Sequence, residues 1–209
     1  MAERVIVSDA CVAEGAAWLA ARCPQMARAY QVTAPLPVRL KPQGFAELLS
    51  AIISQQVSVA SAKAIWGRLE EAGLSDRAAM AEATDDTLRA CGLSRQKMRY
   101  ARALAQSGLD FEALPDLPTE NVLAQLTQIT GIGVWTAEIY AKFSLGRADV
   151  FAAGDLALQE GARMLYGLDA RPSEKALRQM AEDWRPWRSV AARLLWAYYA
   201  HEKKREGIA

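Results

Sequence analysis

Apolar residues recur at helical spacing along most of the chain, and they predict a protein built from α-helices. Ala and Leu are abundant, whereas β-branched runs are short, such as ValIleVal at 5–7. The pattern predicts helical segments at 9–23, 45–54, 58–72, 75–82, 84–91, 94–106, 119–128, 133–144, 155–166 and 187–205. Glycines and prolines separate them, and the stretch 33–44, with three prolines and a glycine, predicts a linker. The predicted fold class is therefore all-α.

Short polar residues stand where several of these helices begin. Asp9, Thr119 and Asn121 are predicted N-caps, because a side-chain oxygen at this position accepts a free amide of the first turn. In ArgProSerGlu at 171–174, Pro172 ends one segment and Ser173 is predicted to cap the next helix.

The composition is that of an ordered globular chain. With 209 residues, of which 52% are hydrophobic, the chain can bury a core as one domain or as two lobes. No stretch approaches the ~18 apolar residues of a membrane span. The first ten residues include Glu3 and Asp9 in place of the apolar region of a signal peptide. We therefore expect a soluble intracellular protein.

Charge and cysteine content limit the partners and cofactors. The net charge of +1 argues weakly against a protein that wraps DNA by charge alone, although 87–109 contains five basic residues and no acidic one. Cys11, Cys23 and Cys91 are odd in number and lack CxxC spacing, which argues against disulfides, zinc and an iron–sulfur cluster. We expect buried, reduced thiols.

A glycine turn joins two predicted helices within 124–143. Gly131 and Gly133 flank Ile132, which is expected to point inward and lock the helices together. Such glycines let the backbone approach another surface, and they expose amides at a helix N-terminus, which favours an anion such as a DNA phosphate. Gly-x-Gly by itself, however, favours an ordinary αα-hairpin.

A carboxylate follows 20 residues after Trp135. Asp155 comes directly after Gly154 and opens a predicted helix, so on its own it is first of all an N-cap, worth about 1 kcal/mol. A buried carboxylate also suits cleavage of an N-glycosidic bond, because that reaction builds positive charge on the sugar and uses an activated water. Asp149 is the rival, and we expect it to make structural hydrogen bonds.

These features together resemble the helix-hairpin-helix DNA glycosylase superfamily, in particular its DNA-3-methyladenine glycosylase II group. The resemblance covers about residues 40–200 and rests on four ordered strings: 48–63, the hairpin 124–143, the loop 149–158 with its GlyAsp pair, and TrpArgProTrpArgSer at 184–189. The chain departs from the usual pattern at Thr130, where the superfamily has proline, and at Ala152 and Ala153, where a proline is lost.

The resemblance implies two helical lobes with a DNA-binding cleft between them. One lobe is expected at about 44–145, and the other at about 1–43 plus 146–209. Duplex DNA would be held by its backbone at Gly131, Ile132, Gly133, Val134 and Thr136. A monovalent cation, Na⁺ or K⁺, would bind the main-chain carbonyls of Thr127, Ile129 and Ile132.

The resemblance also gives meaning to the polar interruption at 54–58. Gln56 falls at the tip of this turn, where it would fill the space left by a flipped nucleotide. Gln55 would hold the loop or touch the neighbouring strand.

The same resemblance assigns the chemistry to Asp155. Bifunctional members carry a lysine two residues after the second hairpin glycine, but this chain has Trp135 there, which has no amine. Trp135 and Trp187, the latter preferred to Trp184, would stack on a cationic alkylated base. Trp196 is expected in the core or at the rim.

The predicted function is that of a monofunctional DNA N-glycosylase of base excision repair, which removes alkylated purines such as 3-methyladenine and leaves an abasic site. It would act as a monomer on damaged double-stranded DNA, without a required cofactor, in a bacterial cytoplasm or a eukaryotic nucleus. One alternative is a non-catalytic DNA-binding protein, against which Asp155 and the aromatic residues argue. The other is a glycosylase for mismatched, deaminated or oxidised bases, whose usual lyase lysine or iron–sulfur cysteines this sequence lacks.

Overall fold

The computed structural model describes residues 3–205, and within that range the chain forms twelve α-helices. Their bounds are α1 Asp9–Ala20, α2 Pro24–Thr33, α3 Phe45–Ser54, α4 Val59–Glu71, α5 Arg77–Glu82, α6 Asp85–Ala90, α7 Arg95–Ala105, α8 Thr119–Thr127, α9 Val134–Phe143, α10 Leu156–Tyr166, α11 Glu174–Met180 and α12 Arg188–Arg205. Short 3-10 turns lie at Leu114–Asp116 and Ala181–Trp184. Extended backbone pairs only at the isolated bridge between Val5 and Arg147 in the described range, so the all-α prediction is confirmed.

Two of the predicted caps are present and one is displaced. Asp155 caps α10 and Ser173 caps α11. The cap of α1 is Ser8 and not Asp9, which was predicted. The Asp9 carboxylate instead accepts the Val38 amide at 2.7 Å, so a contact between distant segments has taken the side chain that would have served as a cap.

The start of α8 and the whole of α2 differ from the predictions. Pro118 occupies the cap position of α8, and helical residues begin at Thr119, so the predicted caps Thr119 and Asn121 are wrong. The predicted helix 9–23 ends earlier, and Pro24 opens the unpredicted α2, where a proline needs no amide partner.

The helices group into two compact units. Unit 1 comprises residues 1–40 and 141–209, and unit 2 comprises residues 41–140. In unit 1, α12 packs on α10, α2 and α1, and the buried residues include Leu19, Leu158 and Leu195. In unit 2, α3 packs on α4 and α7 around Ile52 and Leu104. The predicted lobe boundaries, 44 and 145, lie close to these divisions.

Two expectations drawn from composition concern membranes and thiols. None of the described helices is long and apolar enough to cross a membrane. All three cysteines are free thiols. Cys91 is buried, as expected, whereas Cys11 and Cys23 are half-buried.

Candidate active site

The glycine turn in unit 2 forms the predicted hairpin between α8 and α9. The Ile132 amide donates to the Ile129 carbonyl at 3.0 Å, and the Ala137 amide donates to the Gly133 carbonyl at 3.0 Å. α9 therefore begins directly after the second glycine. The Ile132 side chain is 4% exposed, which confirms that it points inward.

The two hairpin glycines differ in their backbone conformation and in their surroundings. Gly131 has a φ of +99°, and a Cβ there would lie 2.6 Å from Cβ and 2.7 Å from Cδ2 of Tyr100. A Cβ on Gly133, by contrast, would have no atom within 4 Å from any residue beyond its immediate chain neighbours and helix backbone. Gly131 lets the turn close onto Tyr100, whereas Gly133 leaves open space beside the N-terminus of α9, where an anion is favoured.

The loop between α3 and α4 lies against this hairpin. The Gln55 side-chain amide donates to the Gly131 carbonyl at 3.1 Å, so Gln55 holds the loop to the turn. Gln56 is exposed and has a φ of +56°, a conformation that is uncommon for a residue other than glycine. The Ser58 hydroxyl then accepts the Ser61 amide at 3.1 Å and caps α4. Hydrogen bonds of Gln55 and Ser58 thus hold the loop on both sides of Gln56, whose side chain is exposed to solvent.

A depression of about 800 Å³ in unit 2 brings these elements together. Its lining includes Gln56, Gln96, Tyr100, Gly131, Trp135 and Thr136. Four apolar side chains of the α3–α4 loop region and the start of α9 are exposed: Val57, Val59, Val134 and Trp135, the last at 45%. Of these four, Trp135 lines the depression, and an exposed aromatic ring on a concave surface is typical of a binding site.

Residues of α7 also contact α3 and the hairpin in this part of unit 2. The Lys97 ammonium donates to the Ile53 carbonyl near the end of α3, where a positive charge is favourable, and burial lowers the pKa of Lys97. The Gln96 side chain donates to the Tyr100 hydroxyl at 2.6 Å. The contact between Tyr100 of α7 and Gly131 leaves no trace in the order of residues, so the sequence did not predict a role for α7 at the hairpin.

Asp155 is held from two elements of unit 1. Its Oδ1 accepts the Ala157 amide at 2.9 Å and the Leu158 amide at 3.0 Å, both at the start of α10. The same oxygen accepts the Trp196 indole N–H, from α12, at 3.1 Å. Three donors and the helix N-terminus stabilise negative charge on this half-buried carboxylate and fix its orientation.

Hydrogen bonds of Gln159 and Asp149 hold the loop before Asp155. Gln159 is buried, and its side-chain amide donates to the Ala153 carbonyl at 2.9 Å. Asp149 accepts Arg188 Nε at 2.8 Å and Arg185 Nε at 3.0 Å. Asp149 is therefore a structural residue, as predicted, and its carboxylate is engaged by two guanidinium groups.

The structure corrects the choice of tryptophan in unit 1. Trp187, predicted to line the base pocket, is 3% exposed; a Cβ on Gly15 would lie 2.6 Å from its ring, and Arg4 lies 4.7 Å from the ring centroid. Trp187 thus belongs to the core of unit 1. Trp196, predicted to lie in the core or at the rim, donates its indole N–H to Asp155. The sequence offered one signal for Trp196, since this residue lies, like Trp187, within the long closing helix predicted at 187–205.

One of the three hairpin carbonyls predicted to bind a monovalent cation, that of Ile129, takes part in the turn. Neutral carbonyl oxygens suit Na⁺ or K⁺. The Ile129 carbonyl accepts the Ile132 amide across the turn and keeps a second lone pair. An ion held by Thr127, Ile129 and Ile132 stays a prediction.

Comparisons with known proteins agree on the family. The model of the HhH-GPD superfamily base excision DNA repair proteins matches residues 49–186. DNA-3-methyladenine glycosylase 1 of Schizosaccharomyces pombe is 34% identical over 165 residues, which cover 75% of this chain and 72% of that protein. The crystal structure of a DNA-3-methyladenine glycosidase from Bacillus halodurans has a TM-score of 0.79 at 35% identity and covers 89% of both chains.

A further solved structure includes DNA. The 3-methyladenine DNA glycosylase Mag1 of Schizosaccharomyces pombe, in complex with abasic DNA, has a TM-score of 0.74 at 29% identity and covers 88% of this chain and 95% of its own. Together with the hairpin and the capped carboxylate described above, these matches lead to one conclusion. The chain belongs to the HhH-GPD superfamily of base excision DNA repair proteins.

Proposed function

We propose that this protein is a monofunctional DNA N-glycosylase that hydrolyses the N-glycosidic bond of alkylated purines such as 3-methyladenine and leaves an abasic site. The observation that carries the proposal is the Asp155 carboxylate, held by the Ala157 and Leu158 amides and the Trp196 indole. The family and the names of the relatives support base excision and an alkylated substrate.

The reaction needs one well-placed carboxylate. As the bond from C1′ to the base nitrogen breaks, the sugar acquires oxocarbenium character, which an oriented carboxylate stabilises. The same group orients a water molecule and takes its proton as the oxygen bonds to C1′. An alkylated purine carries positive charge and leaves as a neutral base, so it needs little help from an acid.

Two observations support hydrolysis in place of lyase chemistry. Trp135 stands two residues after Gly133, where bifunctional relatives place a lysine, and it supplies no amine. Lys142, near the end of the same helix, is 0% exposed, and its ammonium lies 4.4 Å from the ring centroid of Trp196. We therefore assign the nucleophile to water.

We assign the binding of damaged double-stranded DNA to residues of unit 2. The protein would bind this DNA as a monomer. The open space at Gly133 and the start of α9 would receive a backbone phosphate. Gln56, exposed at the tip of its loop, would fill the gap left by the flipped nucleotide. Trp135, 45% exposed, offers a ring for stacking against an electron-poor base.

The decisive experiment compares wild-type protein with Asp155→Asn on methylated duplex DNA. Wild type should release 3-methyladenine, measured by chromatography of free bases, and should leave strands that break only after alkali treatment. Asp155→Asn should lose base release by at least about a hundredfold, the scale of a lost electrostatic group, while its affinity for an abasic-site duplex stays within a few-fold.

Each competing function has its own outcome in this assay. Wild type that binds DNA but releases no base would indicate a non-catalytic DNA-binding protein. Release of mismatched or deaminated bases in preference to methylated ones would indicate the other glycosylase class. Trapping of a covalent complex with borohydride would refute the assignment of water as the nucleophile.

A further inference from the structure

A buried lysine contacts a tryptophan that donates to the candidate catalytic carboxylate. Lys142 is fully buried, and its ammonium nitrogen lies 4.4 Å from the centroid of Trp196 and 5.7 Å from that of Phe151. A charged amine is rarely placed in a protein interior, because removal from water is costly. Its position over an indole ring is electrostatically favourable, since the ring face is negative.

The ring next to Trp196 carries a second buried cation. Phe143 stacks on Trp196 with centroids 5.8 Å apart and an angle of 23° between the planes. The Arg193 guanidinium lies 5.0 Å from the Phe143 centroid, and it donates to the carbonyls of Ser189 at 3.0 Å and Val38 at 2.9 Å. Each ring of the aromatic pair is therefore in contact with a buried cation, and hydrogen bonds to two carbonyls hold that of Arg193.

Trp196 connects this cluster to Asp155. Its ring contacts Lys142 and Phe143, while its indole N–H donates to Asp155 Oδ1 at 3.1 Å. The amides of α10 already hold this oxygen from one side, so the indole determines how the carboxylate is oriented toward α12. A cation on the ring face also draws electron density from the indole, which makes its N–H a stronger donor.

We propose that Lys142 is a positioning residue for Asp155, which acts by fixing the Trp196 indole so that its N–H holds Oδ1 in the reactive orientation. The inference rests on the proposed function, because the reactive orientation is defined by base excision. It predicts that Lys142 and Trp196 act as one unit: loss of either contact should slow the chemical step and leave DNA binding intact.

The test is a double-mutant cycle on single-turnover excision from methylated duplex DNA. Lys142→Met keeps the length of the side chain and removes its charge, and Trp196→Phe keeps a ring and removes the N–H. Each should lower the rate on the order of tenfold, because small misplacements of a catalytic group are costly. The double variant should be no slower than Trp196→Phe alone, and Lys142→Arg should stay within a few-fold of wild type.

A control separates this role from the loss of any cation–π contact in unit 1. Arg28→Met also removes a cation from an aromatic ring in unit 1, since Arg28 lies 5.5 Å from the Tyr198 centroid, yet it has no contact with Trp196 among those described. It should excise at the wild-type rate. Affinity for an abasic-site duplex should be unchanged in all variants. Additive losses in the cycle, or a Lys142→Met rate equal to wild type, would overturn the proposal.

A second readout does not depend on activity. The Trp196 indole N–H resonance, assigned by its disappearance in Trp196→Phe, should exchange faster with solvent and shift in Lys142→Met. If wild type excises no methylated base, the proposed function fails while this readout still tests the contact. If Lys142→Met does not fold, Lys142→Gln carries the same measurements, and an unchanged resonance in a folded variant refutes the contact.

Discussion

Substitution of Gly131 by alanine tests the hairpin with a number that follows from the structure. The φ of Gly131 is +99°, and a Cβ there would lie 2.6 Å from the Cβ of Tyr100. Backbone strain for a residue with a side chain in such a conformation costs about 1–3 kcal/mol. Forcing a methyl group into a packed site costs about 1–3 kcal/mol more. Gly131→Ala should therefore destabilise the protein by about 2–6 kcal/mol.

Gly133→Ala is the matched control for this prediction. Beyond its immediate chain neighbours and helix backbone, no atom lies within 4 Å of its Cβ position, so the loss of stability should be limited to a poorer helix cap, about 1 kcal/mol. Its methyl group would, however, occupy the space proposed for a backbone phosphate. Gly133→Ala should therefore fold well and bind DNA about tenfold more weakly, the value of one lost contact of about 1.4 kcal/mol.

Urea denaturation followed by circular dichroism measures the first effect, and fluorescence anisotropy with an abasic-site duplex measures the second. A Gly131→Ala midpoint equal to that of wild type would refute the close contact with Tyr100. Unchanged DNA affinity in Gly133→Ala would refute the placement of a phosphate at this turn.

Three further predictions test the surrounding structure. Asp149→Asn should lower the free energy of unfolding by about 1–3 kcal/mol, because it weakens charged hydrogen bonds to two arginines, while excision at 25 °C is unchanged; a large loss of excision in the folded variant would contradict its structural role. Gln56→Ala should slow excision from duplex DNA by about tenfold but not from single strands, because flipping costs a few kcal/mol only in a duplex; equal losses on both substrates would exclude a wedge. Burial, with a smaller effect of Cys23, raises the pKa of Tyr166 above its ordinary value of 10.0. The contribution of Tyr166 to stability is therefore complete below pH 10 and is lost as the pH rises through the folded-state pKa. The melting temperature of Tyr166→Phe should accordingly fall less steeply above pH 10 than that of wild type.

Much of the fold follows from local sequence patterns. Eight or more residues of regular apolar spacing between glycines and prolines predicted α3, α4, α7 and α10 to within two residues of their ends. The missed helix, α2, buries only Met26 and Ala29, so its apolar pattern is weak. Caps were less predictable, because the carboxylate of Asp9 accepts the amide of Val38, a residue distant in the sequence, while Ser8 caps α1.

The sequence by itself determined the features that depend on neighbouring residues. The Gly-Ile-Gly turn, the capping of α10 by Asp155 and the tip position of Gln56 are set by backbone conformation over a few residues. These features sufficed to identify the superfamily and to choose Asp155 over Asp149.

Only the tertiary structure decided which distant side chains meet the carboxylate. Trp187 and Trp196 are nine residues apart and chemically alike, but one packs against Gly15 and the other donates to Asp155. The burial of Lys142 over Trp196 and the contact of Tyr100 with Gly131 likewise arise from the packing of helices far apart in the chain. The physical reason is that periodicity fixes the face of a helix that is buried, whereas the partner of each side chain on that face depends on how the helices pack.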